Sequence, residues 1–143
     1  MQMLRWWMRV VGGVYLFKFV AVAFVRAPLR GQAPDALRLA AAGDHVARFL
    51  VDTWVIFGLE MAALGIALLM ASRVPDRARA LAFAILGVEV SGIVADVYQL
   101  ARGHAFAIPT VWVVIHGAII LTGVLSLRQS QALAMSEDAA TAS

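Results

Sequence analysis

The fold is decided by residues 51–71, which read VDTWVIFGLEMAALGIALLMA. Asp52 and Glu60 are the ionisable residues of this otherwise mostly apolar run. A helix of about 20 such residues crosses the ~30 Å hydrocarbon core of a bilayer. Lipid offers no hydrogen-bonding partners to the backbone, whereas a helix satisfies its backbone groups within one segment. The run therefore predicts a transmembrane helix.

Three similar apolar runs extend this prediction over most of the chain. Because none of the runs alternates with a period of two, a β-barrel is not expected. The predicted helices span about residues 4–25, 51–71, 78–100 and 109–127. The expected fold is all-α, a transmembrane four-helix bundle that forms one domain over residues 1–128 and is followed by a polar, disordered tail at 129–143.

The composition agrees with a membrane protein. Of the 143 residues, 62% are hydrophobic and 15% charged, whereas a soluble domain has about 25% charged residues. The net charge of +3 is scattered between apolar runs, which argues against a nucleic-acid partner and favours lipid headgroups. The chain has no cysteine, so disulfides and thiolate chemistry are excluded. The expected partners are membrane lipid, a small hydrophobic ligand and further copies of the chain in a homo-oligomer.

The connection between the first two predicted helices, residues 26–50, contains the signal of a short helix. Pro34 stands at its start and Asp35 follows. Proline suits the first turn of a helix, and an acidic side chain is stabilised near a helix N-terminus. We predict a short surface helix here, which lies on the membrane or caps the bundle.

The orientation is predicted from the positive residues that flank the spans. With four spans, both termini and the second loop share one side of the membrane. That side carries Arg5, Arg9, Arg73, Arg77, Arg79 and Arg128. The other side carries Arg26, Arg30, Arg38, Arg48 and Arg102. We predict a multi-pass protein of the inner (cytoplasmic) membrane with both termini in the cytoplasm.

One ionisable residue lies near the middle of each apolar run. These residues are Lys18, Glu60, Glu89 and His116. Because the midpoints of antiparallel spanning helices lie at the same depth, all four are expected to meet at the membrane midplane. A charge there costs roughly 2.5–3.5 kcal/mol, so pairing inside the bundle is expected. Lys18 is the predicted counter-ion of one or both glutamates, and His116 is their predicted hydrogen-bond partner.

Two further acids extend this polar set along the helix faces. Asp96 lies seven residues after Glu89, which places both on nearly the same face. Asp52 lies eight residues before Glu60 and shares its side of the helix loosely. Asp52 and Asp96 are expected near the same membrane surface. The acids therefore predict a polar line that runs from this surface to the midplane.

Two aromatic residues complete the candidate ligand or proton site. Tyr15 lies three residues before Lys18, and Trp112 lies four residues before His116. Residues at these spacings share a helix face. Tyr15 and Trp112 are therefore predicted to line the same interior as the ionisable groups.

The polar set favours two functions, the binding of a small hydrophobic molecule and the relay of protons. Two neighbouring carboxylates in a low dielectric do not both ionise easily, and such groups suit proton transfer. Other classes stay open. One is a membrane enzyme, an isomerase or a quinone-type oxidoreductase, that acts on a lipid-soluble substrate. Another is a transporter or assembly subunit whose buried charges only fix the helix arrangement. No catalytic residue is assigned.

Cofactor motifs are lacking in the sequence. There is no Glu-x-x-His spacing, so a metal site is not expected. A single midplane histidine argues against haem. There is also no glycine-rich phosphate loop, dinucleotide fingerprint or nucleophile elbow. No cofactor is therefore predicted.

Several stretches of the chain resemble the BphX-like family of small bacterial membrane proteins. They are residues 4–12, 51–60, 69–73, 92–98, 101–103 and 112–116. The resemblance implies a membrane architecture and carries no activity with it. It also places Asp52, Glu60, Asp96 and His116 in these recurrent stretches, with Glu89 three residues before one of them. The layout further resembles that of DoxX-type four-helix proteins, an analogy of shape alone.

Overall fold

The computed structural model describes residues 2–26, 29–30, 33–102 and 107–141. Within these ranges the chain is helical and contains no strand. We number the α-helices α1 to α5 in chain order. They are α1 (Gln2–Ala23), α2 (Pro34–Ala41), α3 (His45–Ala71), α4 (Arg79–Ala101) and α5 (Ala107–Thr141). A single 3₁₀ turn, Pro75–Arg77, lies between α3 and α4.

Four of these helices are long and apolar enough to cross a membrane. The candidate spans are Gln2–Ala23, His45–Ala71, Arg79–Ala101 and Pro109–Leu133. The predicted all-α fold with four spanning helices is therefore confirmed, and the chain is a multi-pass membrane protein. The predicted surface helix is present as α2, none of whose residues is buried.

Helix α3 begins at His45, six residues before the predicted start. Gly43 has a φ of +99°, a left-handed conformation that glycine adopts without strain, and it follows the end of α2. Asp44 then caps α3, because its Oδ1 accepts a hydrogen bond of 2.8 Å from the backbone N–H of Ala47. This glycine–aspartate pair separates the surface helix from the spanning helix.

Helix α5 continues past Leu127, where the sequence predicts the end of the last span, and reaches Thr141. The residues after Arg128 include no glycine or proline and several good helix formers. They extend the helix where a disordered tail was expected. Residues 142 and 143 lie outside the described part of the chain.

The chain divides into two compact units. One comprises Gly12–Ala67, and the other comprises Met1–Val11 together with Leu68–Ser143. The single domain over residues 1–128 stays a prediction.

In the Gly12–Ala67 unit, α1 and α3 approach closely at Gly65. A Cβ atom at this position would lie 2.9 Å from the carbonyl oxygen of Gly12 and 3.1 Å from Cγ of Leu16. Such close backbone contact is typical of small residues between membrane helices. At Gly58, seven residues earlier, an added Cβ atom would lie 3.4 Å from Cγ1 of Val22 on α1, an ordinary contact distance. Gly65 is therefore the tight point of this helix pair.

In the other unit, Trp7 of α1 packs against α5. Its indole Nε1 donates a hydrogen bond of 3.0 Å to the carbonyl oxygen of Ile119. A Cβ atom at Gly123 would lie 2.7 Å from Cζ2 of Trp7 and 2.8 Å from Cδ2 of Leu86. Gly123 thus provides the space that the indole occupies. The neighbouring Trp6 is exposed.

Candidate functional site

The site is built from one face of α4 and one residue of α5. Glu89, Gly92 and Asp96 lie at positions 0, 3 and 7 along α4, a spacing that places them on one face. His116 of α5 packs against this face. We call Glu89, Asp96 and His116 the His116 cluster.

The imidazole of His116 lies between the two carboxylates. Its Nδ1 is 2.5 Å from Oε2 of Glu89, a hydrogen bond, and its Nε2 is 3.6 Å from Oδ2 of Asp96, an ion-pair distance. The side chain of Glu89 is fully buried, and those of His116 and Asp96 are 11% and 13% exposed. The cluster is therefore largely buried, and the Asp96 end is its more accessible acid.

Gly92 makes this arrangement sterically possible. A Cβ atom at this position would lie 2.6 Å from Cε1, 2.8 Å from Nε2 and 3.0 Å from Nδ1 of His116. The ring consequently packs against the backbone at Gly92, between Glu89, which precedes this glycine on α4, and Asp96, which follows it. Gly92 is not among the site residues predicted from the sequence. The available signal was a glycine in an apolar helix with acids three residues before and four residues after it.

Trp112 forms a further contact of the imidazole. It lies one turn before His116 on α5, and the two ring centroids are 6.2 Å apart with planes tilted by 43°. This agrees with the shared face expected from their spacing. The aromatic ring lies beside the histidine that contacts both acids.

The remaining predicted residues belong to the Gly12–Ala67 unit. Tyr15 is fully buried, and Nζ of Lys18 lies 5.4 Å from its ring centroid, an arrangement in which the ring attracts the cation. Asp52 and Glu60 are exposed on α3. The structure thus brings together Glu89, Asp96, His116 and Trp112, and separately Tyr15 with Lys18. The convergence of all the ionisable residues at one site stays a prediction.

The short contact within the cluster fixes where protons are needed. An ionised carboxylate only accepts hydrogen bonds, so the contact between Nδ1 of His116 and Glu89 requires a proton on one of the two groups. Either Nδ1–H donates to a carboxylate, or a protonated carboxyl group donates to a bare nitrogen. These two states differ only in the position of one proton. The geometry is therefore suited to proton transfer across this bond.

A metal-binding arrangement is not seen in the described ranges. No group of three or more His, Cys, Asp or Glu residues there is placed to hold a metal ion. In the His116 cluster, both ring nitrogens face carboxylates. The chemistry that these groups present is that of acids and bases.

The four apolar spans and the largely buried acid–histidine cluster define a multi-pass, all-helical membrane protein with an ionisable site in its interior. Its particular family is shown by comparison with known proteins. The model of the BphX-like family matches residues 1–132, so the chain belongs to the BphX-like family. No curated protein and no solved structure matches the chain.

Proposed function

We propose that this membrane protein relays protons through the His116 cluster. The observation that carries the proposal is the position of one imidazole between two carboxylates, with Nδ1 at Glu89 and Nε2 at Asp96. We also propose that the protein resides in the inner (cytoplasmic) membrane with both termini in the cytoplasm. The number of flanking arginines on each side supports this orientation.

Imidazole suits a relay because it takes up a proton at one nitrogen and releases another proton from the second. In the proposed step, the carboxyl group of Glu89 gives its proton to Nδ1 of His116. The imidazolium then loses the proton on Nε2 to the carboxylate of Asp96. Glu89 ends as a carboxylate and Asp96 as a carboxylic acid, so one proton has moved and the total charge is unchanged.

The step carries the proton along the membrane normal. Asp96 lies seven residues after Glu89 on α4. Their backbone positions are therefore about 10 Å apart along the helix axis, at 1.5 Å per residue. Glu89 lies near the middle of the span, and Asp96 lies closer to its end at Ala101. We propose that the relay forms one segment of a transmembrane proton path, the segment that connects the interior with one membrane surface. The pairing of Lys18 with Glu89 stays a prediction.

The other predicted roles are not required by this step. Glu60 is the predicted second member of the proton-carrying pair, but its side chain is exposed on α3, and the relay works without it. Binding of a small hydrophobic molecule beside Trp112 also stays a prediction. The relay is preferred because His116 contacts two acids, Glu89 at Nδ1 and Asp96 at Nε2.

Proton flux into proteoliposomes tests the relay. A potassium gradient with valinomycin sets the membrane potential, and an enclosed pH-sensitive dye reports proton entry. We expect Glu89→Gln, Asp96→Asn and His116→Asn each to lower the flux by about tenfold or more, because each removes a proton-accepting group.

The matched control is Gly87→Ala on the same helix. Gly87 has no neighbouring atom within 4 Å of an added Cβ, so this variant should keep the wild-type flux. Equal proton flux in His116→Asn and in the wild type, with both proteins folded, would contradict the proposal. The cluster would then have a purely structural role.

A further inference from the structure

We propose that α3 carries a binding site for a lipophilic organic cation, formed by Glu60 and an adjacent aromatic groove. The groove is lined by Thr53, Trp54 and Phe57 and has a volume of about 260 Å³. We call it the Trp54 groove. The proposal is independent of the proton relay, because none of these residues belongs to the His116 cluster.

Glu60 lies in the middle of a membrane span with its side chain exposed. It is the sixteenth of the 27 residues of α3, and its surroundings in the sequence are apolar. Its side chain takes part in no hydrogen bond or ion pair with the described residues. A bare carboxylate at the centre of a spanning helix costs roughly 2.5–3.5 kcal/mol or more. A counter-cation supplied from outside the chain would remove this penalty.

Two of the three residues that line the Trp54 groove lie on the same face of α3 as Glu60. Thr53, Phe57 and Glu60 occupy positions 0, 4 and 7 of one helical stripe. Phe57 and Glu60 are therefore separated by about 4.5 Å along the helix axis, and Thr53 and Glu60 by about 10 Å. We therefore expect one end of a molecule in the groove to reach the carboxylate of Glu60.

The walls of the groove favour a cation with an apolar body. The rings of Trp54 and Phe57 are 5.9 Å apart and nearly perpendicular, so they offer aromatic surface in two orientations. Aromatic faces attract a cation within about 6 Å of their centroids. The lining exposes apolar surface only. It therefore suits the body of a lipophilic ion, while Glu60 supplies the compensating charge.

The same features argue against an inorganic cation. Calcium requires six to eight oxygen ligands and magnesium retains much of its hydration shell, whereas the side-chain oxygens on the stripe of Thr53, Phe57 and Glu60 are those of Glu60 and Thr53 alone. The hydroxyl of Thr53 already donates to the carbonyl oxygen of Phe49 at 2.8 Å. A delocalised positive charge inside an apolar shell needs no such ligand set, and it reaches the groove through the lipid.

Equilibrium dialysis with tritiated tetraphenylphosphonium tests this site on the full chain in mild detergent. We expect saturable binding to the wild type, weakened by about tenfold or more in Glu60→Gln and retained in Glu60→Asp, which keeps the charge. Phe57→Leu should weaken binding severalfold, since it keeps an apolar side chain and removes the ring. The neutral compound triphenylphosphine oxide should show no dependence on Glu60.

The control variants separate this site from other effects. Asp76→Asn removes an exposed carboxylate in the turn between α3 and α4 and should leave binding unchanged. His116→Asn should also leave it unchanged, so that failure of the relay and failure of this site give different results. Circular dichroism and thermal unfolding confirm that each variant is folded.

Two results would overturn the proposal. One is the absence of saturable tetraphenylphosphonium binding to the wild type, or equal binding in wild type and Glu60→Gln. The other is a native mass spectrum in which the wild type is oligomeric, Glu60→Gln is monomeric and neither binds the cation. In that case Glu60 would be covered by a second copy of the chain.

Discussion

Position 92 shows how a missing side chain organises a polar site. The His116 ring occupies the volume that any Cβ atom at this position would need, and the acids before and after Gly92 then meet opposite edges of the ring. The pairing of Glu89 with His116 was predictable from their equal depth in the membrane. The role of Gly92 was not, because it depends on how α4 and α5 are rotated against each other.

Replacement of Gly92 by alanine should therefore displace the imidazole. We expect Gly92→Ala to lower the stability by about 1–3 kcal/mol, the usual cost of overpacking, and to lower proton flux with it. Gly87→Ala meets open space and should not destabilise the protein. Thermal unfolding in detergent measures both variants. Equal unfolding temperatures for the two would show that the ring accommodates a Cβ atom at position 92.

At the scale of the helices, the sequence and the structure agree on which segments span the membrane. Hydropathy and length predict the four spans, because lipid forces the backbone of an apolar segment into a helix. The boundaries are less well predicted. Asp44 begins α3 earlier than the apolar run suggests, and α5 extends to Thr141. Local capping and helix propensity decide these ends, and hydropathy reports neither.

The close packing of α1 against α3 at Gly65 can be tested by substitution. An added methyl group at Gly65 would meet the backbone oxygen of Gly12 at 2.9 Å, and backbone yields less readily than a flexible side chain. We expect Gly65→Ala to lower the stability by about 1–3 kcal/mol. Gly13→Ala on α1 has no neighbour within 4 Å and serves as the control. Similar unfolding temperatures in the two variants would mean that the helices separate without cost.

For the molecule as a whole, the class follows from the spans and the family from residues 1–132. The candidate site is predictable only in part. Glu89, Asp96, His116 and Trp112 come together, whereas Asp52 and Glu60 are exposed. A sequence gives the depth of a residue in a membrane span. It does not give the direction in which the residue points, because these helices are apolar around most of their circumference and their hydropathy does not mark the side that faces the interior.

The orientation prediction is testable because the chain has no cysteine. Single cysteines are introduced at two exposed positions, as Asp35→Cys in α2 and Asp76→Cys in the turn between α3 and α4. With both termini in the cytoplasm, a membrane-impermeant maleimide should label the first variant in intact spheroplasts. The second variant should be labelled only after permeabilisation. The reverse pattern would place the termini outside.

The packing of His116 against Gly92 also limits the rate of the proposed proton relay. After one passage the ring carries its proton on Nδ1 in place of Nε2, so a second passage in the same direction requires the ring to turn over. A Cβ atom at Gly92 would lie within 3.0 Å of three ring atoms of His116, so the ring packs closely against the backbone of α4. We expect the ring to turn over only when the two helices separate briefly. Such motions take microseconds to milliseconds. We therefore expect single, slow proton transfers whose rate is limited by the transient separation of α4 and α5. This rate should be far below that of an open water-filled pore.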